Sequence, residues 1–184
     1  MQVYDNCLRV PFLVKGPGIT PGQQITALTQ FADIGPSMLH FAGATATPAS
    51  MDGRSFAPAI IPTLPKEPRP WRTEHLASYQ SIYPKHCLVN ASCGRHPIDD
   101  ATNTHRSIRI VNATASWMYA EFVDVSEPAA WNFAPGSIEF RELYDMAKDP
   151  YQLHNLYASA SQAVKDEMSQ RLRQAYSCSG TTCP

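Results

Sequence analysis

Charge is scarce in this sequence. Its 184 residues carry charged side chains at 17%, against about a quarter in ordinary globular chains. The charges nearly cancel, leaving a formal net of −1. That balance offers no basic sleeve for a nucleic acid and no polybasic anchor for a membrane face. Long apolar runs are missing too, since none approaches the ~18 residues that a membrane-crossing helix needs. The first residues, Met1-Gln2-Val3-Tyr4, lack the basic and apolar regions of a signal peptide. No Gly-x-Ser-x-Gly elbow, Walker loop, dinucleotide fingerprint or His-Glu-x-x-His occurs. The common nucleophile, phosphate and zinc-protease chemistries therefore have no motif here. There is no internal repeat and no heptad.

What is present suits a folded chain. Hydrophobic residues make up 43%, and roughly 70% of the unfolded surface is buried in a compact fold of this length. That is enough for a core without metal or disulfide staples. Sixteen prolines exceed the ~5% average and imply many loops and edge positions. Asn90-Ala91-Ser92 and Asn112-Ala113-Thr114 are N-glycosylation sequons. Cys178 and Cys183 flank a small polar loop that suits a short disulfide. Sequons and a cysteine pair point to an oxidising compartment. With no signal sequence in front of them, the expectation is that the start of the protein lies upstream.

Periodicity gives a coarse order of elements. Residues 8–15 alternate, with Leu8, Val10, Phe12 and Val14 on one side, which predicts a strand; Pro11 inside it marks an edge or a bulge. A lone strand must pair with another, and the next sixty or so residues offer no good partner, so its sheet is expected in an absent N-terminal part. A helix is expected over 34–42, with Asp33 as N-cap and Gly43 as stop. A short second helix is expected over 55–60. Pro62, Pro65, Pro68 and Pro70 make residues 62–72 a connector, dividing the chain into 1–61 and 73–184. Beyond it, strands are expected over 75–80, 107–111, 116–123 and 138–144, with residues 83–106 a polar excursion. Consecutive strands without helices between them predict an antiparallel sheet. A closing helix over 161–176 has Val164, Met168, Leu172 and Ala175 on one face.

Two clusters invite a chemical reading. His86, Cys87, Cys93 and His96 are zinc-ligand types. They lack the Cys-x-x-Cys hairpin, and His86 adjoins Cys87, so the two side chains diverge. A Cys87–Cys93 disulfide, or pairing elsewhere, suits them better. Cys7 is then left as a buried thiol or as half of a pair whose other half this chain lacks. Asp99-Asp100 is the type of pair that binds hard cations, but its polar neighbours describe a solvated loop. From its own residues the chain yields no catalytic group and no metal ligand.

Several segments carry a resemblance. Tyr4-Asp5-Asn6-Cys7-Leu8-Arg9-Val10-Pro11, then Lys15-Gly16-Pro17-Gly18, Ala32-Asp33-Ile34-Gly35-Pro36-Ser37, Met51-Asp52-Gly53-Arg54-Ser55, Glu142-Leu143-Tyr144-Asp145 with Asp149-Pro150 and Asn155-Leu156, and the tail from Cys178 to Cys183 are similar, in order, to the C-terminal third of the sulfatase family, most closely its N-acetylglucosamine-6-sulfatase branch. The resemblance implies an alkaline-phosphatase-like α/β fold. Residues 1–61 are then the end of the large domain, and 73–184 an antiparallel α+β subdomain with a packing helix. It implies a sulfuric ester hydrolase of heparan and keratan sulfate catabolism, lysosomal or secreted. The formylglycine nucleophile and the calcium ligands of that family lie upstream. Cys7-Leu8-Arg9, Cys93-Gly94-Arg95 and Cys178-Ser179-Gly180 do not match the Cys-x-Pro-Ser-Arg that the nucleophile is made from. The family's sulfate-binding Lys falls just before Met1. Catalysis and cofactors are thus expected in a full-length parent, with the absent N-terminal domain and a sulfated glycan as partners.

What this portion contributes in the family is one wall of the substrate pocket. Arg9, His105, Arg109 and Tyr79 are the pocket candidates, the arginines because a guanidinium matches planar anions bidentately. Each also has an ordinary reading: ion pairs for Arg9 and Arg109, the surface for His105, the core for Tyr79. The main alternative to an incomplete sulfatase is a non-catalytic glycan- or partner-binding module derived from one. A zinc module comes third.

Overall fold

The computed structural model describes residues 2–44, 47–66, 69–80, 101–123 and 133–183. In chain order these form α1 (Asp5–Leu8), α2 (Ile34–Phe41), α3 (Ala57–Ile60), β1 (Glu74–Tyr79), β2 (Thr104–Val111), β3 (Ser116–Val123), β4 (Ile138–Asp145) and α4 (Gln162–Ser177). The chain divides into two compact units, residues 1–10 with 76–172, and residues 11–75 with 173–184.

The first unit is built on a four-stranded sheet ordered β1-β2-β3-β4. β2 and β3 form a hairpin in continuous antiparallel register, from Thr104 opposite Val123 to Val111 opposite Ser116. Asn112 closes its turn: Oδ1 accepts from Thr114 N at 2.9 Å, Thr114 Oγ1 at 3.1 Å and Ala115 N at 2.8 Å. That arrangement is the local side-chain turn that asparagine favours. β4 pairs antiparallel with β3, with an irregularity at Phe122/Val123. The strands alternate strictly, so each face of the sheet is fixed by one parity of residue.

One face, carrying Arg106, Ile108, Tyr119, Glu121 and Leu143, is the face α4 covers. Ser169 on α4 donates to Glu121 at 2.7 Å, while Met168 and Leu172 are buried. Arg106 makes a forked pair with Glu121 at 3.0 and 2.7 Å, and Tyr119 Oη donates to the other carboxylate oxygen at 3.0 Å. A buried charge is retained only with such full partnering. On the opposite face, Val3 joins Met118, Ala120, Phe122, Tyr144 and Met146, with Tyr4 and Leu8 packed alongside. The edge of β4 is held by Asn155, whose Oδ1 accepts from Leu143 N at 3.1 Å and whose Nδ2 donates to Arg141 O at 3.0 Å.

The second unit is organised around Asp33, which is fully buried. Its carboxylate accepts from Gln30 N at 2.9 Å and Arg54 N at 2.7 Å, and pairs with Arg72. As the residue before α2 it makes no side-chain cap to that helix; its oxygens are spent on Gln30, Arg54 and Arg72. Arg69 donates to Gly53 O at 2.7 Å and Trp71 Nε1 to Leu28 O at 3.0 Å, which anchors residues 69–72 within this unit. Gly53 has to be glycine, because a Cβ there meets Ala32 O at 1.9 Å. The Cys178–Cys183 disulfide is formed. Its loop docks through Gly180 N donating to Asp52 Oδ1 at 2.5 Å and Arg54 Nη2 donating to Cys183 O at 2.8 Å.

The antiparallel sheet and closing helix match the sequence expectation closely, and β3 matches it to the residue. Residues 8–15 do not. Their first member ends α1, and the rest take no regular structure. Alternation alone supplies a face but no hydrogen-bond partner, and no strand pairs with this segment among the described residues. Cys7 is exposed, not a buried thiol. The second helix is shorter than expected, beginning at Ala57, and α2 stops at Phe41 with Gly43 at φ +92° behind it. The His86, Cys87, Cys93 and His96 cluster, Asn90, and Asp99-Asp100 lie outside the described residues. No helix among the described residues is long and apolar enough to cross a membrane.

Removing the Asp33 carboxylate leaves a buried guanidinium uncompensated. Asp33→Ala is expected to cost about 3–5 kcal/mol, read as a lowered midpoint in urea unfolding. Asp33→Asn, which keeps the shape, should recover only part of it.

Candidate functional site

The structure places three of the four pocket candidates on one face of the sheet, the face that Val3 and Tyr4 cover. His105 and Arg109 share it because they are two positions of the same parity on β2, opposite Phe122 and Met118. Tyr79, on the neighbouring strand β1, lies 6.0 Å from the His105 ring, which is itself 5.2 Å from that of Phe122.

His105 is fully buried, so the surface reading is set aside. Its Nδ1 lies 2.8 Å from Asn103 O. A carbonyl only accepts, so Nδ1 carries the proton in that bond. The ring is a packed core group joined to Tyr79 and Phe122. It does not present itself to solvent.

Arg109 is the most heavily engaged of the set. Nη1 donates to Ile110 O at 2.8 Å and Trp117 O at 3.1 Å, and Nη2 to Ser116 Oγ at 3.1 Å. Nε stands 3.4 Å from Asp5 Oδ1. Burial lowers the guanidinium's pKa, Asp5 opposes that, and the positive Arg9 nearby adds to it. Arg109 thus ties the end of the β2–β3 hairpin to α1. Arg9, just past α1, is exposed. It is the candidate whose guanidinium faces solvent, close enough to Arg109 for their charges to be felt.

Sequence reasoning passed over a third group on this face. Glu142 and Tyr144 alternate on β4, opposite Ala120 and Met118. Both are buried. Burial does most to raise the pKa of Tyr144, and the neighbouring Glu142 and Tyr4 raise it further. Burial also raises the Glu142 pKa, against the hydrogen bond from Tyr144. The only signal in the sequence was a carboxylate in phase with an aromatic on an otherwise apolar strand face.

No metal centre can be built from these parts. Among the described residues no group of three or more His, Cys, Asp or Glu stands together. The aspartates among the described residues are already committed: Asp5 to Arg109, Asp33 to Arg72, Asp52 to Gly180, Asp145 to Lys148, Asp149 to the amides of Leu153 and His154, and Asp166 to Gln162. Among the described residues no set of side chains fits the calcium that the resemblance implies.

Residues 1–128 match the family described as N-sulphoglucosamine sulphohydrolase, C-terminal. The chain belongs to this sulfatase C-terminal family. The chain's four-stranded antiparallel sheet and closing helix make a mixed α/β arrangement, and the matched residues take in α1 to β3. Among curated relatives, the N-acetylglucosamine-6-sulfatase of Bos taurus is 31% identical over 99% of this chain and 32% of its own length. That of Homo sapiens is 30% identical over the same shares. An arylsulfatase of Chlamydomonas reinhardtii is 28% identical over 98% of this chain and 27% of its own length. The chain spans about a third of the length of these relatives. Within this sulfatase portion, the segments of resemblance coincide with structural joints: Asp33 with Arg72, Gly53 against Ala32, Asn155 on β4, and the disulfide loop on Asp52.

The two arginines should separate in mutagenesis. Arg109→Met is expected to cost about 1–2 kcal/mol through its lost hydrogen bonds and ion pair. Arg9→Gln, on an exposed side chain, should stay within about 0.5 kcal/mol. Thermal unfolding of both variants beside the parent chain checks the contrast.

Proposed function

We propose that this chain is the non-catalytic C-terminal portion of a sulfuric ester hydrolase that removes 6-O-sulfate from N-acetylglucosamine in heparan or keratan sulfate. The observation that carries the reading is the match along nearly its whole length to N-acetylglucosamine-6-sulfatases. In this reading the nucleophile and calcium come from an N-terminal sulfatase body, as the resemblance to the family implies. This portion's own role is to wall the substrate pocket. Arg9 is the residue that reaches a sulfate or carboxylate, because Arg109 is spent on its hairpin and Asp5. The parent works in a lysosomal or secreted setting, a reading supported by the disulfide and by the sequon Asn112, which sits on an exposed hairpin turn.

A partner body is also supported by the surface of the second unit. Leu13 is 94% exposed, Phe31 76% and Met38 62%. Beside them Phe12 and Phe41 both contact Phe56. Large apolar side chains left this exposed suit a surface that another body covers.

One observation favours the binding-module reading. The first unit's sheet is covered on both faces by its own chain, by α4 and by residues 2–8, and so has its own core. Assay of the purified chain decides between the two. With calcium and a 6-sulfated N-acetylglucosamine substrate, no sulfate release is expected, and measurable turnover would overturn the proposal. Retention of the chain alone on a 6-O-sulfated heparin column, lost in Arg9→Ala, would favour the module.

A further inference from the structure

Arg141 on β4, Tyr157 in the turn that follows and Lys165 on α4 meet on the α4 face of the sheet. Arg141 stands opposite Glu121 in the β3–β4 register. Opposite charges in that position ordinarily pair, but the Glu121 carboxylate is full. Arg106 donates to one oxygen twice, and Tyr119 and Ser169 donate to the other. Arg141 makes no ion pair with any described residue. Its guanidinium carbon lies 5.7 Å from the centre of the Tyr157 ring.

That ring is a fixed platform. Asn155 Oδ1 accepts from Tyr157 N at 2.9 Å and from Leu143 N at 3.1 Å, and Leu156 N donates to Leu143 O at 2.8 Å, so the turn is tied to β4. The ring centroid is 6.2 Å from that of Tyr119 on β3. Lys165 Nζ lies 5.0 Å from the same ring centre. Its hydrogen bond goes to a neutral acceptor, Ala158 O at 3.3 Å. Lys165 also stands in the first turn of α4, which carries no acidic residue and whose positive end already disfavours a cation. The acidic side chains nearby do not answer these cations. Asp166 is held by Gln162 and Glu167 by Arg171. Glu139, on the same face of β4 as Arg141, is exposed and pairs with no described residue.

Two cations thus share one ring in a chain whose charges are few and nearly balanced. Like charges gathered without a counter-charge repel, and an aromatic face offsets only part of that cost. An oxyanion offsets the rest: the guanidinium presents paired donors to two of its oxygens, and the ammonium adds a point charge. All three side chains are half-buried, which leaves them open to a ligand and limits their freedom before it arrives.

We propose that Arg141, Lys165 and Tyr157 form a binding site for an acidic group, sulfate or carboxylate, of a sugar chain. The oxyanion chemistry stands on these side chains alone; the sugar chain as its bearer rests on the proposed sulfatase reading. The site lies on the face of the sheet opposite to that of His105 and Arg109.

Titration of the full chain with a heparin-derived tetrasaccharide, followed by amide NMR, tests this. The signals of residues 141, 157 and 165 should move together with one affinity, which weakens as salt rises. Arg141→Gln and Lys165→Gln should each weaken binding about tenfold, the size of one hydrogen bond to a charged group. Arg141→Lys keeps the charge and loses the fork, and should weaken it less. Thermal unfolding of these variants should match the parent chain, because neither cation holds an ion pair. Arg9→Ala should leave the shifts at 141, 157 and 165 in place. Unmoved signals at those residues overturn the proposal, as does an affinity unchanged in both glutamine variants. Inorganic sulfate bound as tightly as the tetrasaccharide overturns the sugar chain as the bearer. Failure of the sulfatase reading shows instead as sulfate release by the purified chain, so the two are told apart.

Discussion

A single buried carboxylate organises the second unit. Asp33 gathers the amides of Gln30 and Arg54 and the guanidinium of Arg72, drawing together three stretches of chain that have no sheet or long helix to unite them. Ionised carboxylates leave water only when their oxygens are answered. Once Asp33 is buried, the positions of Arg54 and Arg72 are set. Gly53 must then approach Ala32 without a Cβ, and Arg54 is free to reach Pro70 and Cys183 with its other nitrogens. The unit is held by polar joints at its centre, with α2 and α3 adding an apolar shell that is only partly closed.

The first unit follows the opposite plan. Regular pairing of β2, β3 and β4 fixes the side-chain parity, and the two faces then diverge in character. The α4 face buries a fully partnered network of Arg106, Glu121, Tyr119 and Ser169. The other face buries Glu142 with one oxygen unanswered. Two glutamates on neighbouring strands therefore carry different meanings: one is a structural brace, the other a group whose charge the fold resists.

The sheet and α4 were legible in the sequence because their signals are local. Alternation marks β3 from Ser116 to Val123, and Met168 and Leu172 mark the buried stripe of α4. The segment at 8–15 misled because alternation reports which side is apolar and says nothing of whether a neighbouring backbone exists to complete the ladder. Arg109 and His105 were legible as a pair on one strand. That Arg109 is consumed by Ile110, Trp117, Ser116 and Asp5 depends on the hairpin register and on α1. Glu142 was hidden for a related reason: a glutamate in a strand reads as solvent-facing until the fold is seen to bury it.

The docking of the disulfide loop has a bearing on how the protein is made. Gly180 reaches Asp52 and Cys183 reaches Arg54 across separations of 128 and 129 residues. The polar joint near Asp33 therefore borrows its outer partners from the far end of the chain. A ribosome that has delivered residues 11–75 has delivered an unfinished unit, with Arg54 and Asp52 lacking the carbonyl and amide that later answer them. Closure of that unit waits for residues 178–183 to be synthesised and their cysteines oxidised. The sheet, whose strands neighbour one another in sequence order, is free to fold while translation is still under way.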